Sequence, residues 1–177
     1  PERLREAEDR GDLYANVCHS TGLANFVDLA RDAPAEARAR SQDALARWSQ
    51  RTFHVEHWWA TLGERQIDMY QGDAEAAWTR LQADWSKLEG SLLLRTAQLT
   101  RLEALHLRGR CALARAASSR DGQRESLAKD AERDAKRMSK DDEVWSAPLV
   151  SLLQAGAATV RGDAAGARGH LLAAVPG

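Results

Sequence analysis

Apolar residues recur at three- and four-residue intervals along the chain and are interrupted by short Gly-Asp, Asp-Ala-Pro and Gly/Ser stretches. That period belongs to amphipathic helices separated by tight turns. Residues 1–10 read as the end of a helix. A helix over 13–31 carries Leu13, Val17, Leu23, Phe26, Val27 and Ala30, with Gly22 weakening its middle; a partner over 34–51 carries Ala37, Ala44, Leu45 and Trp48 and opens on Pro34, which suits a first helical turn. The next helix starts at Val55 and places Val55, Trp59, Leu62 and Met69 or Tyr70 on one stripe. Its partner carries Ala77, Trp78, Leu81 and Trp85, and Lys87 to Ser91 forms the following turn. Leu92 to about Ala117 predicts a long helix with Leu92, Leu99, Leu102, Leu105, Leu113 and Ala116 for burial and a kink at Gly109. Residues 123–140 form a helix crowded with both charge signs, read as a solvated face with weak ion pairs. A last pair runs from Ser146 and Pro148 through Leu149, Leu152, Leu153, Gly156 and Val160 to a helix over 164–174.

The turn Gly72-Asp73 organises this series. Glycine takes the left-handed conformation that closes one helix, and the aspartate accepts from the free amides that open the next. Gly162-Asp163 repeats it, with Ala167 placed after Gly162 as Ala77 is after Gly72, and Gly11-Asp12 is an early copy. The unit is therefore a repeated antiparallel helical hairpin. Ala77, next to the hinge, lets the two backbones approach closely.

Composition narrows the function classes. Runs alternating Val, Ile, Thr or Tyr with polar residues are missing, so strands are not expected. The formal net charge of -1 arises from 25 basic and 26 acidic residues mixed along the chain, which argues against nucleic acid or anionic lipid as a partner. The longest apolar run falls far short of the roughly 20 residues that cross a bilayer, and no signal peptide opens the chain, so a cytoplasmic location is expected. Cys18 and Cys111 lack metal or redox spacing and read as buried free thiols. The chain, running from Pro1 to Val175-Pro176-Gly177, reads as a piece of a longer protein.

Three clusters invite chemistry. His54, Glu56 and His57 lack the H-E-x-x-H order and a third ligand, and are better read as helix-start packing and capping. Cys18-His19 lacks the geometry of a nucleophile and its base. Gly162, Gly166 and Gly169 follow a helix rather than a strand and have no Lys-Ser or Lys-Thr, so no phosphate loop is expected. No metal and no cofactor are expected. Of the six tryptophans, Trp48, Trp59 and Trp85 fit apolar stripes, whereas Trp58 lies one position off its neighbour's stripe, so one of the adjacent pair is expected to be partly exposed.

Trp59-x-x-Leu62-Gly63, Gly72-Asp73 and Ala77 resemble a tetratricopeptide repeat, a family of helix pairs that stack into a right-handed superhelix with a concave groove. The period here, 40 residues from Ala33 to Asp73, exceeds the usual repeat of about 34. The stretch ARWSQRTFHVEHWWATLGERQIDMYQGDAEAAW, followed by SLLLRTAQLTRLEALHLRGRCALA, is similar to the C-terminal region of large bacterial serine/threonine protein kinases. There a kinase domain is commonly followed by an ATPase-like module and helical repeats. No catalytic residue is carried over, because the chain has no glycine-rich phosphate loop, HRD stretch or DFG motif.

The resemblance implies an all-α, tetratricopeptide-like array forming one helical-repeat domain over 1–177, with hairpins at roughly 13–51, 54–90, 92–140 and 146–175. It implies a non-catalytic interaction or regulatory module that docks a protein or peptide, including the parent's own kinase or ATPase part. Because first helices line the groove of such stacks, Trp58, Arg65, Arg95, Gln98 and Arg101 form the expected partner-binding set, an aromatic flanked by arginines for a carboxylate-bearing peptide. The alternatives are a small-molecule sensor and a homo-oligomerisation module; oligomeric state is left open.

Overall fold

A computed structural model describes residues 2–119, 122–141 and 144–175. Among them are eleven α-helices and no strand: α1 (Glu2–Arg10), α2 (Leu13–Ser20), α3 (Phe26–Leu29), α4 (Pro34–Ala46), α5 (Val55–Tyr70), α6 (Ala74–Gly90), α7 (Leu93–Thr96), α8 (Gln98–Ser118), α9 (Arg124–Met138), α10 (Ala147–Arg161) and α11 (Ala164–Ala174). None of these helices is long and apolar enough to cross a membrane. The chain divides into two compact units, Pro1–Leu93 and Leu94–Gly177, the division falling just inside the start of the third hairpin expected from sequence, 92–140.

The hinges are built alike. Gly11, Gly72 and Gly162 stand at φ +64°, +76° and +79°. In each, the amide after the glycine donates back five residues, at 2.9 Å (Asp12 to Ala7), 2.9 Å (Asp73 to Asp68) and 3.0 Å (Asp163 to Ala158), while the glycine amide donates back three. This double bond pattern satisfies the last carbonyls of one helix. Asp12, Asp73 and Asp163 then accept from the amides of Ala15, Ala76 and Gly166 at 3.0, 3.0 and 2.9 Å, capping the next helix. A fourth turn keeps the backbone pattern without glycine: Asp32 takes φ 56°, Ala33 N–H donates to the Asp28 carbonyl at 3.0 Å, and Pro34 opens α4. The residue four places after each cap, Asn16, Ala37, Ala77 or Ala167, is buried.

In the first unit α5 is the centre, packed by α6, by α4 and by the 3-10 turn Gly22–Asn25. That turn splits the helix expected over 13–31, since Gly22 takes φ +58° and its neighbourhood is filled by the Trp59 side chain. With neighbours on three sides, α5 has no single apolar stripe: Trp58, Leu62 and Ile67 are buried together with Glu56, Arg65, Gln66 and Asp68. The expected order of the tryptophan pair is therefore reversed. Trp58 has 0% exposure, while Trp59 is half-buried beside Tyr14, ring centroids 6.3 Å apart.

In the second unit α8 packs on α9 and α10, and α10 also holds α11. The helix expected from Leu92 begins instead at Gln98, after the short α7 and an extended Ala97, and this leaves Leu92 and Leu99 exposed. Gly109 does not break α8, which runs unbroken from Gln98 to Ser118. A Cβ there would come within 2.8 Å of the Leu153 side chain, and one at Gly156 within 2.6 Å of Leu113, so each helix lays a leucine on the other's glycine. The charge-rich helix α9 is not only a solvated face: Leu127, Ala128, Ala131, Ala135 and Met138 are buried, and so is Asp134.

Candidate functional site

An open cleft of about 510 Å³ lies in the first unit between the end of α4, the segment 50–53, and one face of α5 and α6. Leu45, Phe53 and Ala60 give it apolar walls, Thr52, Thr61 and His57 supply polar groups, and Arg51 and Lys87 stand at its edge.

Its upper end is rigidified by hydrogen bonds that start at the loop. Trp48 Nε1 donates to His54 Nδ1 at 3.2 Å, so the other ring nitrogen, Nε2, carries the hydrogen shared with Thr52 Oγ1 at 2.5 Å. The His54 backbone amide donates to His57 Nδ1 at 3.1 Å, which leaves the His57 proton on Nε2. The Phe53 ring lies on His57 at 5.6 Å between centroids. Burial, then the neighbouring His54 ring, pushes the His57 pKa below the usual histidine value. His57 is thus a neutral hydrogen-bond donor set in an aromatic wall. The capping role expected for these histidines is what they perform here, and among the described residues no group of three or more His, Cys, Asp or Glu is placed to hold a metal.

The cleft floor is an ion network. Arg65 Nε donates to Asp68 Oδ2 at 3.0 Å, its Nη2 to Glu64 at 3.2 Å, and its Nη1 lies 3.5 Å from Asp84. Asp68, 1% exposed, also accepts from Arg38 at 2.7 Å and Arg80 at 3.0 Å. Glu64 lies 3.7 Å from Arg38. Three guanidinium groups thus converge on one buried carboxylate, the arrangement that makes a buried charge tolerable. The same position in the preceding hairpin is Asp28, also buried and bound by Arg40 twelve residues later, as Arg80 is twelve after Asp68. A spacing of Asp, turn and Arg at twelve was present in the sequence, and it was missed because charges were read as surface.

The expected groove set fares unevenly. Trp58 and Arg65 belong to the first unit and are buried, at 0% and 3% exposure; Arg65 is bound by three carboxylates and lines the cleft floor. Arg95, Gln98 and Arg101 belong to the second unit. Arg95 and Gln98 are exposed. Arg101 is engaged by Asp141, with Nη2 to Oδ1 at 2.6 Å and Nε to Oδ2 at 3.3 Å, and it also donates to the Leu94 carbonyl at 3.2 Å. Burial pushes the pKa of the Cys18 thiol up. No protein-family model, curated protein or solved structure matches this chain.

Proposed function

We propose that the chain is a non-catalytic docking module whose first unit holds a segment of polypeptide in the cleft beside α5. The observation that carries this reading is the cleft itself: a preformed trough with apolar walls at Leu45 and Phe53, a locked donor at His57, and floor charges already neutralised by one another. Such a surface takes side chains and backbone groups without reorganising, which keeps the ordering cost of binding low. Of the groove residues expected from sequence, only Arg65 lines this cleft, where Phe53, His57 and Thr61 stand beside it. The Gly-Asp hinges and the buried alanines at 37, 77 and 167, four places after a cap, support a tetratricopeptide-like stack as the scaffold. The resemblance of roughly residues 10–175 to bacterial serine/threonine kinase C-terminal segments supports a place in a cytoplasmic signalling protein, where docking of a partner or of the parent's kinase or ATPase part shifts an active–inactive equilibrium.

A photo-crosslinking residue at Thr61, in a lysate of the source organism, tests the site. The expected result is one predominant polypeptide adduct that disappears when Phe53→Ser is added while circular dichroism stays unchanged. Adducts insensitive to Phe53→Ser would sink the cleft as the docking surface. A second reading is favoured by the cleft volume, which lies in the range of about 300 to 1,000 Å³ typical of small-molecule sites. An adduct of metabolite mass, lost with the same substitution, would establish that sensor reading instead. Homo-oligomerisation is supported by Leu171, Leu172 and Val175, exposed together along and just beyond α11; a mass that does not change with concentration would exclude it.

A further inference from the structure

The first unit holds another cavity, of about 330 Å³, formed by α1, α2, α3 and α4. Arg3, Arg5, Arg31, Arg40 and His19 line it against only two carboxylates, Glu8 and Asp28. In a chain whose charges otherwise balance, this is a local excess of cations. Its internal bookkeeping makes the excess sharper. Asp28 is 2% exposed and is bound by Arg40 Nη1, so that carboxylate is consumed and the Arg40 guanidinium is held in place. Arg3 is paired with Glu6 at 3.3 Å. Arg5 and Arg31 have no carboxylate partner among the described residues, although both line the cavity. At the equivalent position of the next hairpin, Asp68 and its neighbours Glu64 and Asp84 satisfy the arginines around them. Around Asp28, by contrast, Arg40 is answered by that aspartate, while Arg5 and Arg31 have no bonded counterpart to Glu64 or Asp84 among the described residues.

We propose that this cavity binds a phosphate monoester. Two unpaired guanidinium groups on different elements, Arg5 on α1 and Arg31 beyond α3, flank a third, Arg40, oriented by a buried aspartate. Planar guanidinium groups match the oxygens of a phosphoryl group in paired hydrogen bonds, and the monoester carries close to two negative charges at neutral pH. A carboxylate or a phosphodiester has one. His19 adds a ring donor, and Leu4, Ala24 and Val27 give the ester's organic part an apolar border. The site is separate in residues from the cleft beside α5 and does not rest on that reading.

The test is a titration followed by ¹H–¹⁵N correlation of the arginine Nε–H groups in the whole chain, at constant ionic strength. The probes are O-phosphoserine, adenosine monophosphate and dimethyl phosphate. The expected result is a saturable shift of Arg5 and Arg31 with both monoesters, and dissociation constants at least tenfold higher for dimethyl phosphate. Arg31→Gln and Arg5→Gln, both exposed positions, are expected to weaken monoester binding tenfold or more, whereas Arg168→Gln, the same charge change on α11, leaves it intact. Tighter binding of O-phosphoserine assigns the source to a phosphorylated protein, and tighter binding of the nucleotide to a soluble mononucleotide. Shifts that do not saturate, equal affinity for dimethyl phosphate, or indifference to Arg31→Gln would each overturn the assignment.

Discussion

Asp134 has 0% exposure on the inner face of α9, where Arg108 of α8 grips both carboxylate oxygens, Nε to Oδ2 at 2.8 Å. Removing one partner of such a pair strands the other charge in the core. Arg108→Met is therefore expected to cost about 3 to 5 kcal/mol in urea denaturation, while the Arg108→Met/Asp134→Leu double variant recovers most of it. A single-variant loss below about 1 kcal/mol would show that the carboxylate reaches water. His106, on the same helix, has its pKa lowered to about 4, first by burial and then by the Arg110 charge. Its folded value lies below the ordinary value of about 6.5, so the unfolded chain binds the proton more tightly, and stability falls as pH drops from about 6.5 towards 4. Asp134, raised in pKa by burial, pulls the other way. The expected outcome is a difference between wild type and His106→Gln that grows in that window, by at most about 1.4 kcal/mol per pH unit. A flat difference would place His106 in water. Leu127, Ala131, Asp134 and Met138 fall at helical spacing, so a charge in the apolar stripe of α9 was legible in the sequence. Its partner was not, because Arg108 lies on another helix and its distance from Asp134 is set by how α8 and α9 pack.

At the level of elements, the hinge is the most transferable device in this chain. Two glycines of the last hairpin have opposite roles: Gly162 closes α10 at φ +79°, and Gly169 sits within α11 with open space where a Cβ would project. Gly162→Ala is expected to destabilise by about 1 to 2 kcal/mol through left-handed strain. Gly169→Ala is expected to stabilise by up to about 1 kcal/mol through helix propensity. Thermal denaturation followed by circular dichroism reads both, and equal signs would reject the assignment of the hinge. Hinges were readable because glycine and aspartate act on their own backbone neighbours. The same locality explains the failures. Leu23, Phe26, Val27, Leu92 and Leu99 all fit helical stripes but are exposed at 47% or more, since periodicity marks a face and cannot say whether another helix covers it. The adjacent tryptophans went wrong for the complementary reason: α5 is covered on three sides, so the stripe ending in Trp59 was not the only buried one.

At the scale of the molecule, two compact units each contain a buried arginine–carboxylate pair of their own, Arg65 with Asp68 and Arg108 with Asp134. Native-state hydrogen exchange is expected to show that Arg65→Met lowers the opening free energies of amides in 2–93, and Arg108→Met those in 94–175, with the larger drop in the unit that bears the substitution. Uniform drops throughout would mean that the chain opens as one body. Sequence alone determined that the chain is helical, where most helices turn back, and which residues close and cap them. Those properties depend on interactions within about five residues, and a one-dimensional reading contains them. The tertiary structure decided which tryptophan is core, which arginines are spent on buried carboxylates, and where cavities remain lined by cations without partners. Most of these pairings join side chains separated by twelve to forty positions and brought together only by packing, where burial raises the cost of an unpaired charge enough to select its neighbours.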